Sequence, residues 1–175
     1  MKRLKDEARR QAQPAEGIVE RMSPAPTEVA ADLGCGPGYV TVPLARRVAK
    51  VYGLDAQQEM LDALMAELPP ELKGKVEPVL AELPELPFGD ASLDRAILVN
   101  VAHEVGDRAR LAAELKRCLK KGGRLTIVDF PKRETSFGPP LYERLSEEEM
   151  LAAFPGFTKV REWRFPEFYQ LELAR

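Results

Sequence analysis

The sequence predicts a doubly wound α/β fold, in which helices cover both faces of a mostly parallel sheet. Short apolar runs alternate with helical patterns through most of the 175 residues, and this order is typical of parallel strands joined by helical crossovers. The run Leu93–Val99 ends in consecutive apolar residues, as expected of a strand covered on both faces. The last two predicted strands are too close in sequence for a crossover, so they should pair antiparallel.

Composition excludes several classes of protein. The chain is 45% hydrophobic, which suffices for the core of one domain, and its formal net charge of −2 gives no basic field for nucleic acid. No apolar run reaches the length of about 18 residues that spans a membrane, and the basic N-terminus lacks the apolar core of a secretory signal. Cys35 and Cys118 are dispersed, so we expect a cytoplasmic protein without disulfides. Asn100 is the only asparagine, which fits either a thermophilic source or a GC-rich genome.

Residues 1–27 are predicted as an N-terminal helical segment that precedes a domain over residues 28–175. Residues 2–13 are charged and helical in pattern, and Ile18, Val19 and Met22 form an amphipathic turn. This segment either covers a ligand site or is a frayed chain end.

The domain is predicted to begin with a strand, a tight turn and a helix. An apolar run over residues 28–33 leads into Gly34, Gly36 and Gly38, and residues 39–48 have a helical pattern. Glycine lets the backbone turn sharply and lets a ligand approach the main chain. The following helix directs its free N–H groups at whatever lies above the turn.

The remaining elements follow from periodicity and from helix-end signals. Residues 57–68 carry five apolar side chains, from Met60 to Leu68, at helical spacing, so this stripe is predicted to be core. Gly122 and Gly123 are expected to cap a helix over residues 107–120, and Ser146 begins a capping box. The further strands are predicted over residues 51–55, 75–80, 93–99, 124–130, 157–163 and 167–173.

Four features that carry chemistry fall at the carboxyl ends of successive predicted strands. They are Asp32 with the glycine turn, Asp55, Glu82 and the turn of residues 100–103. In a doubly wound sheet these ends form one crevice. An acid after the second strand can accept hydrogen bonds from a ribose diol, and an acid after the third can accept one from the adenine amine. We therefore expect an adenosine ligand with a polar tail over the glycines.

The tail is predicted to be an amino acid and not a phosphate. The spacing Gly-x-Gly-x-Gly over residues 34–38 is one residue shorter than the dinucleotide fingerprint Gly-x-Gly-x-x-Gly. Asp32 would repel a pyrophosphate but attract an ammonium group. This spacing and the C-terminal hairpin speak against a nicotinamide-dependent oxidoreductase.

An ordered set of motifs spans residues 29–160. The motifs are Asp32-Leu-Gly-Cys-Gly-Pro-Gly38, Gly53-Leu-Asp55, Leu86-Pro-Phe88 with Ser92-Leu-Asp94, Asn100-Val-Ala-His103-Glu104, Leu119-Lys-Lys-Gly-Gly123 and Gly156-Phe157. The set resembles the class I S-adenosylmethionine-dependent methyltransferases, especially small bacterial members related to the ubiquinone and menaquinone-biosynthesis enzymes. The resemblance implies a Rossmann-like, seven-stranded sheet with a C-terminal antiparallel hairpin. It also implies S-adenosylmethionine as cofactor and S-adenosylhomocysteine as product.

The resemblance further implies a set of cofactor-binding residues, grouped by the part of the cofactor that they would contact. The glycines of the first motif, with Asp32 and Cys35 among them, would underlie the methionine part, Asp55 would bind the ribose hydroxyls, and Glu82 would bind the adenine amine with Leu83 beside it. Ala56, next to Asp55, completes the predicted set with Asn100. Glu82 stands where the family more often has Asp. Asn100 either orients the methionine part or caps the next helix.

His103 is the only histidine, and it follows the fourth predicted strand at the rim where an acceptor would bind. It is either a general base or a helix-start residue bonded to the backbone. Asp129, at the end of the fifth strand, either contacts the acceptor or caps that strand. A single histidine without partner ligands gives no metal site. Tyr142 and Arg144, which follow the Gly138-Pro-Pro140 loop, are expected at the solvated surface, with contact to the acceptor as the alternative.

The acceptor is predicted to be a small molecule that is methylated on oxygen or carbon. A sulfonium methyl group is already electrophilic, so transfer needs mainly proximity, alignment and a deprotonated nucleophile. Asn100 is followed by Val-Ala-His and not by the Pro-Pro-Tyr of amino-methylating enzymes, and two dispersed cysteines do not form the thiol cluster of an arsenite methyltransferase. The site is either open or covered by a second subunit of a homodimer. The alternative function is an S-adenosylmethionine-binding regulatory module without catalysis.

Overall fold

A computed structural model describes residues 7, 8 and 10–175 as a seven-stranded sheet with helices on both faces. The strands are β1 (Val29–Leu33), β2 (Lys50–Asp55), β3 (Val76–Leu80), β4 (Leu93–Val99), β5 (Leu119–Asp129), β6 (Thr158–Arg164) and β7 (Tyr169–Ala174). Their order in the sheet is β3-β2-β1-β4-β5-β7-β6. Strands β1 to β5 are parallel, and β7 pairs antiparallel with both β5 and β6. The predicted doubly wound sheet and its antiparallel hairpin are thus confirmed.

Five α-helices that are described over their full length pack on the two faces of this sheet. They are α1 (Ala15–Met22), α2 (Thr41–Ala45), α3 (Gln58–Glu67), α4 (Arg108–Cys118) and α5 (Glu147–Ala153). Buried side chains of α1, α2 and α3 share one core cluster with Ile97, whereas those of α4 and α5 share the other with Leu98. Neighbouring residues of β4 therefore face opposite layers, as strand geometry requires. None of the helices in residues 7–8 and 10–175 is long and apolar enough to cross a membrane.

The strand order places a switch point between β1 and β4. From β1 the chain winds outward through β2 and β3, and it then returns to place β4 on the other side of β1. Crossovers on the two sides leave in opposite directions, which opens a crevice above the carboxyl ends of these two central strands. The glycine turn after β1 and the turn after β4 both lie at this crevice.

Two helix ends differ from the sequence prediction. Helix α2 ends at Ala45, since residues 46–48 form a turn. Helix α4 ends at Cys118, and Gly122 and Gly123 lie inside β5 instead of capping the helix, so that prediction was wrong. The reason is tertiary: Leu119 is fully buried and pairs with Leu93 of β4, which takes the chain straight from helix into sheet.

The N-terminal segment is anchored in the core from Ala15 onward. Ile18, Val19 and Met22 of α1 are 0% exposed and pack in the cluster that contains α2. Burying each such side chain contributes roughly 1.5–3 kcal/mol, so this part of the segment is not a frayed end. The helix predicted over residues 2–13 lies partly outside the described residues; within it, residues 7, 8 and 10–12 are helical.

Candidate functional site

The glycine turn after β1 is held against β2 by its own backbone. The N–H groups of Gly34 and Cys35 donate to the carbonyl oxygen of Leu54 at 2.8 and 2.9 Å. Gly34, Gly36 and Gly38 have φ values of +74°, +52° and +93°, which glycine adopts without strain. The turn is therefore pre-formed at the crevice.

The three glycines have different surroundings. A Cβ on Gly34 would lie 2.6 Å from Val101 Cγ2, and a Cβ on Gly38 would collide with the buried Leu64. A Cβ on Gly36 would meet no heavy atom within 4 Å. Gly34 and Gly38 are thus required by packing within the protein, whereas Gly36 leaves open space above the turn.

Asp55 at the end of β2 supports the turn from the side. Its Oδ2 accepts a hydrogen bond from the N–H of Gly36 at 2.8 Å, and its Oδ1 accepts one from the N–H of Gln57 at 3.0 Å. Each carboxylate oxygen has a second lone pair. Asp55 can therefore hold the turn and still accept hydrogen bonds from a ligand hydroxyl.

Two adjoining cavities open above the turn and share Gly34 and Val101. The first has a volume of about 430 Å³ and the second about 380 Å³, a size typical of small-molecule sites. The first is lined by Arg10, Asp32, Gly34, Cys35, Gly36, Pro37, Tyr39, Val40, Met60, Val99, Asn100 and Val101. The second is lined by Gly34, Leu54, Asp55, Ala56, Gln57, Ala81, Glu82, Leu83, Val101, Glu104, Val105 and Gly106.

Nine of the ten cofactor-binding residues predicted from sequence line these two cavities. The exception is Gly38, which lines neither and packs against Leu64. The first cavity also contains residues that sequence reasoning missed, among them Arg10 and Tyr39. Met60, predicted as core, lines this cavity as well. No local pattern marks these positions, because their place depends on how separate segments pack.

Asp32 lies at the base of the first cavity and is 2% exposed. Its Oδ2 accepts a hydrogen bond from Thr41 Oγ1 at 2.7 Å. Burial raises the pKa of Asp32 to about 6; the hydrogen bond from Thr41 opposes this shift, and the charge of Asp55 adds to it. The same burial, with the charges of Asp32 and Asp55, raises the pKa of the Cys35 thiol. Cys35 is therefore a protonated turn residue, while Asp32 is anionic above pH 6.

The side chain of Asn100 pairs with Gln13 from the N-terminal segment. Asn100 Nδ2 donates to Gln13 Oε1 at 2.7 Å, and Gln13 Nε2 donates to Asn100 Oδ1 at 3.2 Å. Helix α4 is capped instead by Asp107, which accepts from the N–H of Arg110 at 2.9 Å. The helix-cap alternative for Asn100 was therefore wrong.

His103 and Asp129 form a pair at the end of β4 and β5. His103 Nδ1 lies 2.7 Å from Asp129 Oδ1, and the backbone N–H of His103 donates to Asp129 Oδ2 at 3.1 Å. Asp129 is 1% exposed, and its Oδ1 lies within hydrogen-bond distance of Nδ1. Because this oxygen accepts the Nδ1 proton, the imidazole is held in the Nδ1–H tautomer, and Nε2 is left as the proton acceptor. Burial lowers the pKa of His103, but the hydrogen bond and charge of Asp129, with Glu104 and Glu143, outweigh it and raise the pKa overall.

The chain beyond β5 places aromatic rings beside this pair. The ring of Phe130 lies 6.1 Å from that of His103, and Phe137 lies 5.9 Å from Phe130, both edge to face. Arg144 holds the intervening loop by donating to the carbonyls of Arg133 at 2.6 Å and Pro139 at 2.8 Å. Arg144 is only 7% exposed, so its predicted place at the solvated surface was wrong.

The sheet, the switch-point crevice and the two adjoining cavities define an α/β domain with a small-molecule site above a glycine turn. Residues 31–127, more than half of the chain, match the family described as a methyltransferase domain. The chain belongs to this family, within the class I S-adenosylmethionine-dependent methyltransferases.

Similar proteins agree with this assignment. The chain is 30% identical over 141 residues to the demethylmenaquinone methyltransferase of Corynebacterium kroppenstedtii, a match that covers 81% of this chain and 57% of that protein. It is 30% identical over 129 residues to an O-methyltransferase of Penicillium expansum, covering 73% and 47%. The chain spans about half the length of the curated relatives that it matches.

A solved structure shows the same fold over nearly the whole chain. This is a SAM dependent methyltransferase from Aquifex aeolicus, with a TM-score of 0.87 at 24% identity over 98% of this chain and 95% of that chain. The cofactor of this class is S-adenosylmethionine, and the residues present fit it. The first cavity offers a methionine part the open space above Gly36 and the carboxylate of Asp32. The second cavity offers a ribose and an adenine the carboxylates of Asp55 and Glu82.

Replacing Gly36 with alanine is expected to weaken S-adenosylhomocysteine binding while the fold is retained. The new methyl group fills the space above the turn, which should weaken binding by about tenfold or more, since overpacking a tight contact costs about 1–3 kcal/mol. The left-handed φ of +52° costs about 1–2 kcal/mol of stability. Isothermal titration calorimetry measures the first effect and thermal unfolding the second. Gly74→Ala is the control, because its Cβ also meets nothing within 4 Å. Equal affinities of the two variants for S-adenosylhomocysteine would contradict a cofactor position above Gly36.

Replacing Asp32 with asparagine is expected to stabilise the cofactor-free protein at pH 8. The pKa of Asp32 in the folded state, about 6, lies above the ordinary 3.8, so stability falls as pH rises through this interval. The shift corresponds to roughly 3 kcal/mol at most, and we expect a gain of about 1–3 kcal/mol at pH 8 that shrinks at pH 5. Urea unfolding at both pH values measures it, with the exposed Asp62→Asn as control. A variant less stable than the wild type at pH 8 would contradict the prediction.

Proposed function

We propose that this chain transfers the methyl group of S-adenosylmethionine to an oxygen or carbon atom of a small-molecule acceptor. The observation that carries the proposal is the His103–Asp129 pair, with Nδ1 and Oδ1 2.7 Å apart. An oxygen or carbon acceptor loses a proton when it is methylated, so it benefits from a positioned base. The proposal rests also on the relatives, of which one acts on demethylmenaquinone and another is an O-methyltransferase.

The residues of the chain divide this work between them. Asp55 and Glu82 would hold the adenosine part of the cofactor, and Asp32 the ammonium group of its methionine part. When bound, S-adenosylmethionine supplies an electrophilic methyl group. His103 Nε2 would take the proton from the acceptor, and Asp129 would stabilise the imidazolium that results.

The neighbourhood of His103 favours an acceptor with an apolar or aromatic face. The centroid of the Phe130 ring lies 6.1 Å from that of the imidazole, and the centroid of the Phe137 ring lies 5.9 Å from that of Phe130. Aromatic rings pack favourably against such edge-to-face walls. Phe130 is 5% exposed and backs the imidazole, so a phenol or quinol with its hydroxyl at the base would place its ring against the half-buried Phe137.

A methyl-transfer screen with isotope-labelled S-adenosylmethionine tests the proposal. The acceptors are phenols, quinols and small primary amines, and products are read by mass spectrometry. We expect label on oxygen or carbon of phenols or quinols and none on the amines. Methylation confined to amines would contradict the proposal. S-adenosylhomocysteine binding without turnover of any acceptor would favour the regulatory module.

A further inference from the structure

The first cavity carries one charge of each sign among the described residues that line it. Asp32 lies at its base, Arg10 comes from the N-terminal segment, and the other ten lining residues are uncharged. The methionine part of the cofactor is a zwitterion with an ammonium group and a carboxylate. Asp32 can bind the ammonium group. The carboxylate of the methionine part then requires a positively charged partner.

We propose that Arg10 binds the carboxylate of the cofactor's methionine part. The guanidinium group presents a planar fork of donors that matches a carboxylate with two parallel hydrogen bonds. Within the described part of the chain no carboxylate pairs with Arg10, so its donors are available to a ligand in this cavity. The proposal rests on S-adenosylmethionine as the cofactor.

Tyr39 holds Arg10 in place before any ligand arrives. The guanidinium carbon of Arg10 lies 5.5 Å from the centroid of the Tyr39 ring, within the range of a cation–π interaction. The Tyr39 hydroxyl donates to the carbonyl of Gln13 at 2.8 Å and accepts from the N–H of Ala15 at 3.2 Å. Tyr39 itself lines the cavity next to the glycine turn. The Tyr39 side chain thus connects the segment that carries Arg10 to the glycine turn.

Gln13 fixes the same segment from the opposite wall of the cavity. Gln13 is 0% exposed, so its side-chain amide must find hydrogen-bond partners inside the protein. It finds them on Asn100, 87 positions away, through the reciprocal pair described above. Residues 10–15 therefore span from the turn after β1 to the turn after β4. A cation held in this way loses less conformational freedom on binding than a free surface arginine.

The test compares two ligands that differ only in the carboxylate. S-adenosylhomocysteine and its decarboxylated analogue, S-adenosyl-3-thiopropylamine, are titrated into the full chain by calorimetry at pH 7.5. We expect the wild type to prefer S-adenosylhomocysteine by about tenfold, since a hydrogen-bonded charge pair is worth about that much. Arg10→Gln should lose this preference by weakening S-adenosylhomocysteine alone. Arg47→Gln is the matched control, because Arg47 pairs with Glu20 at the surface outside the cavity.

Each other outcome has a distinct meaning. Equal weakening of both ligands by Arg10→Gln, or an unchanged preference, would overturn the role of Arg10 while leaving the cofactor in place. A wild type that binds neither ligand would overturn the cofactor assignment and this proposal together. Thermal unfolding of Arg10→Gln should match the wild type, since Arg10 is exposed.

Discussion

Replacing His103 with glutamine is expected to lower kcat for the acceptor found in the screen by about 10²- to 10⁴-fold, the usual contribution of a positioned base. The reason is that Nε2 of the imidazole would accept the proton of the nucleophile, and a glutamine amide cannot. The affinity for S-adenosylhomocysteine should not change, because His103 lines neither of the two cavities. Unchanged turnover in H103Q would rule out the base role.

The pH profile separates a base from a residue that only fills space. The pKa of His103 is raised above 6.5 once the hydrogen bond and charge of Asp129 outweigh burial. The neutral imidazole is the active form, so kcat should rise with pH through this raised pKa and then level off. Asp129→Asn removes the anion, which should move the inflection to lower pH and also reduce the plateau, since the tautomer and ring position are no longer fixed.

This shift in pKa can be measured directly. His103 is the only histidine of the chain, so the imidazole signals in a proton NMR titration belong to it alone. We expect a lower pKa of His103 in D129N than in the wild type. The exposed Asp90→Asn is the control and should leave the pKa unchanged, as Asp90 pairs with Arg117 on another part of the surface. An equal pKa in D129N and the wild type would show that Asp129 does not act on the imidazole.

Local signals in the sequence were sufficient for the framework of the site. The glycines of residues 34–38 predicted the turn, and the apolar run before Asp55 predicted this acid at the end of β2, since both depend on residues close in the chain. The hydrogen bond from Gly36 to Asp55 was not predicted. The capping box at Ser146 is confirmed for the same reason: Ser146 Oγ and the Glu149 side chain each bond to the other's backbone within one helical turn.

Pairs that join distant segments could not be predicted. The contact of His103 with Asp129 depends on the register of β4 against β5, and that of Gln13 with Asn100 joins residues 87 positions apart. The same limit explains Gly122 and Gly123: their spacing is that of a helix cap, but the pairing of Leu119 with Leu93 overrides it. Sequence periodicity carries no information on such registers.

A second group of distant contacts lies at the amino ends of the parallel strands, opposite the site. Glu172 of β7 is 1% exposed and contacts Arg161 Nη2 at 2.7 Å and Arg95 Nη1 at 3.3 Å. Arg95, itself 7% exposed, also contacts Glu28 at 2.5 Å and donates to the carbonyl of Ser23 at 3.3 Å. One buried carboxylate thus links β4, β6 and β7, and through Arg95 the segment that leads from α1 into β1.

Replacing Glu172 with alanine is expected to lower the free energy of unfolding by about 3 kcal/mol, because Nη1 of the buried Arg95 loses its acceptor without regaining water, while Glu28 still compensates the charge. Urea unfolding measures the loss. The control is Glu77→Ala, which also removes a glutamate paired across neighbouring strands, with Lys50 at 2.6 Å, but at the surface; it should cost less than about 1 kcal/mol. In the folded fraction of E172A, S-adenosylhomocysteine affinity should equal that of the wild type, since Glu172 lines neither cavity. A loss no larger than that of E77A would mean that Glu28 alone suffices for Arg95, and the contact with Glu172 would then have no part in holding the sheet together.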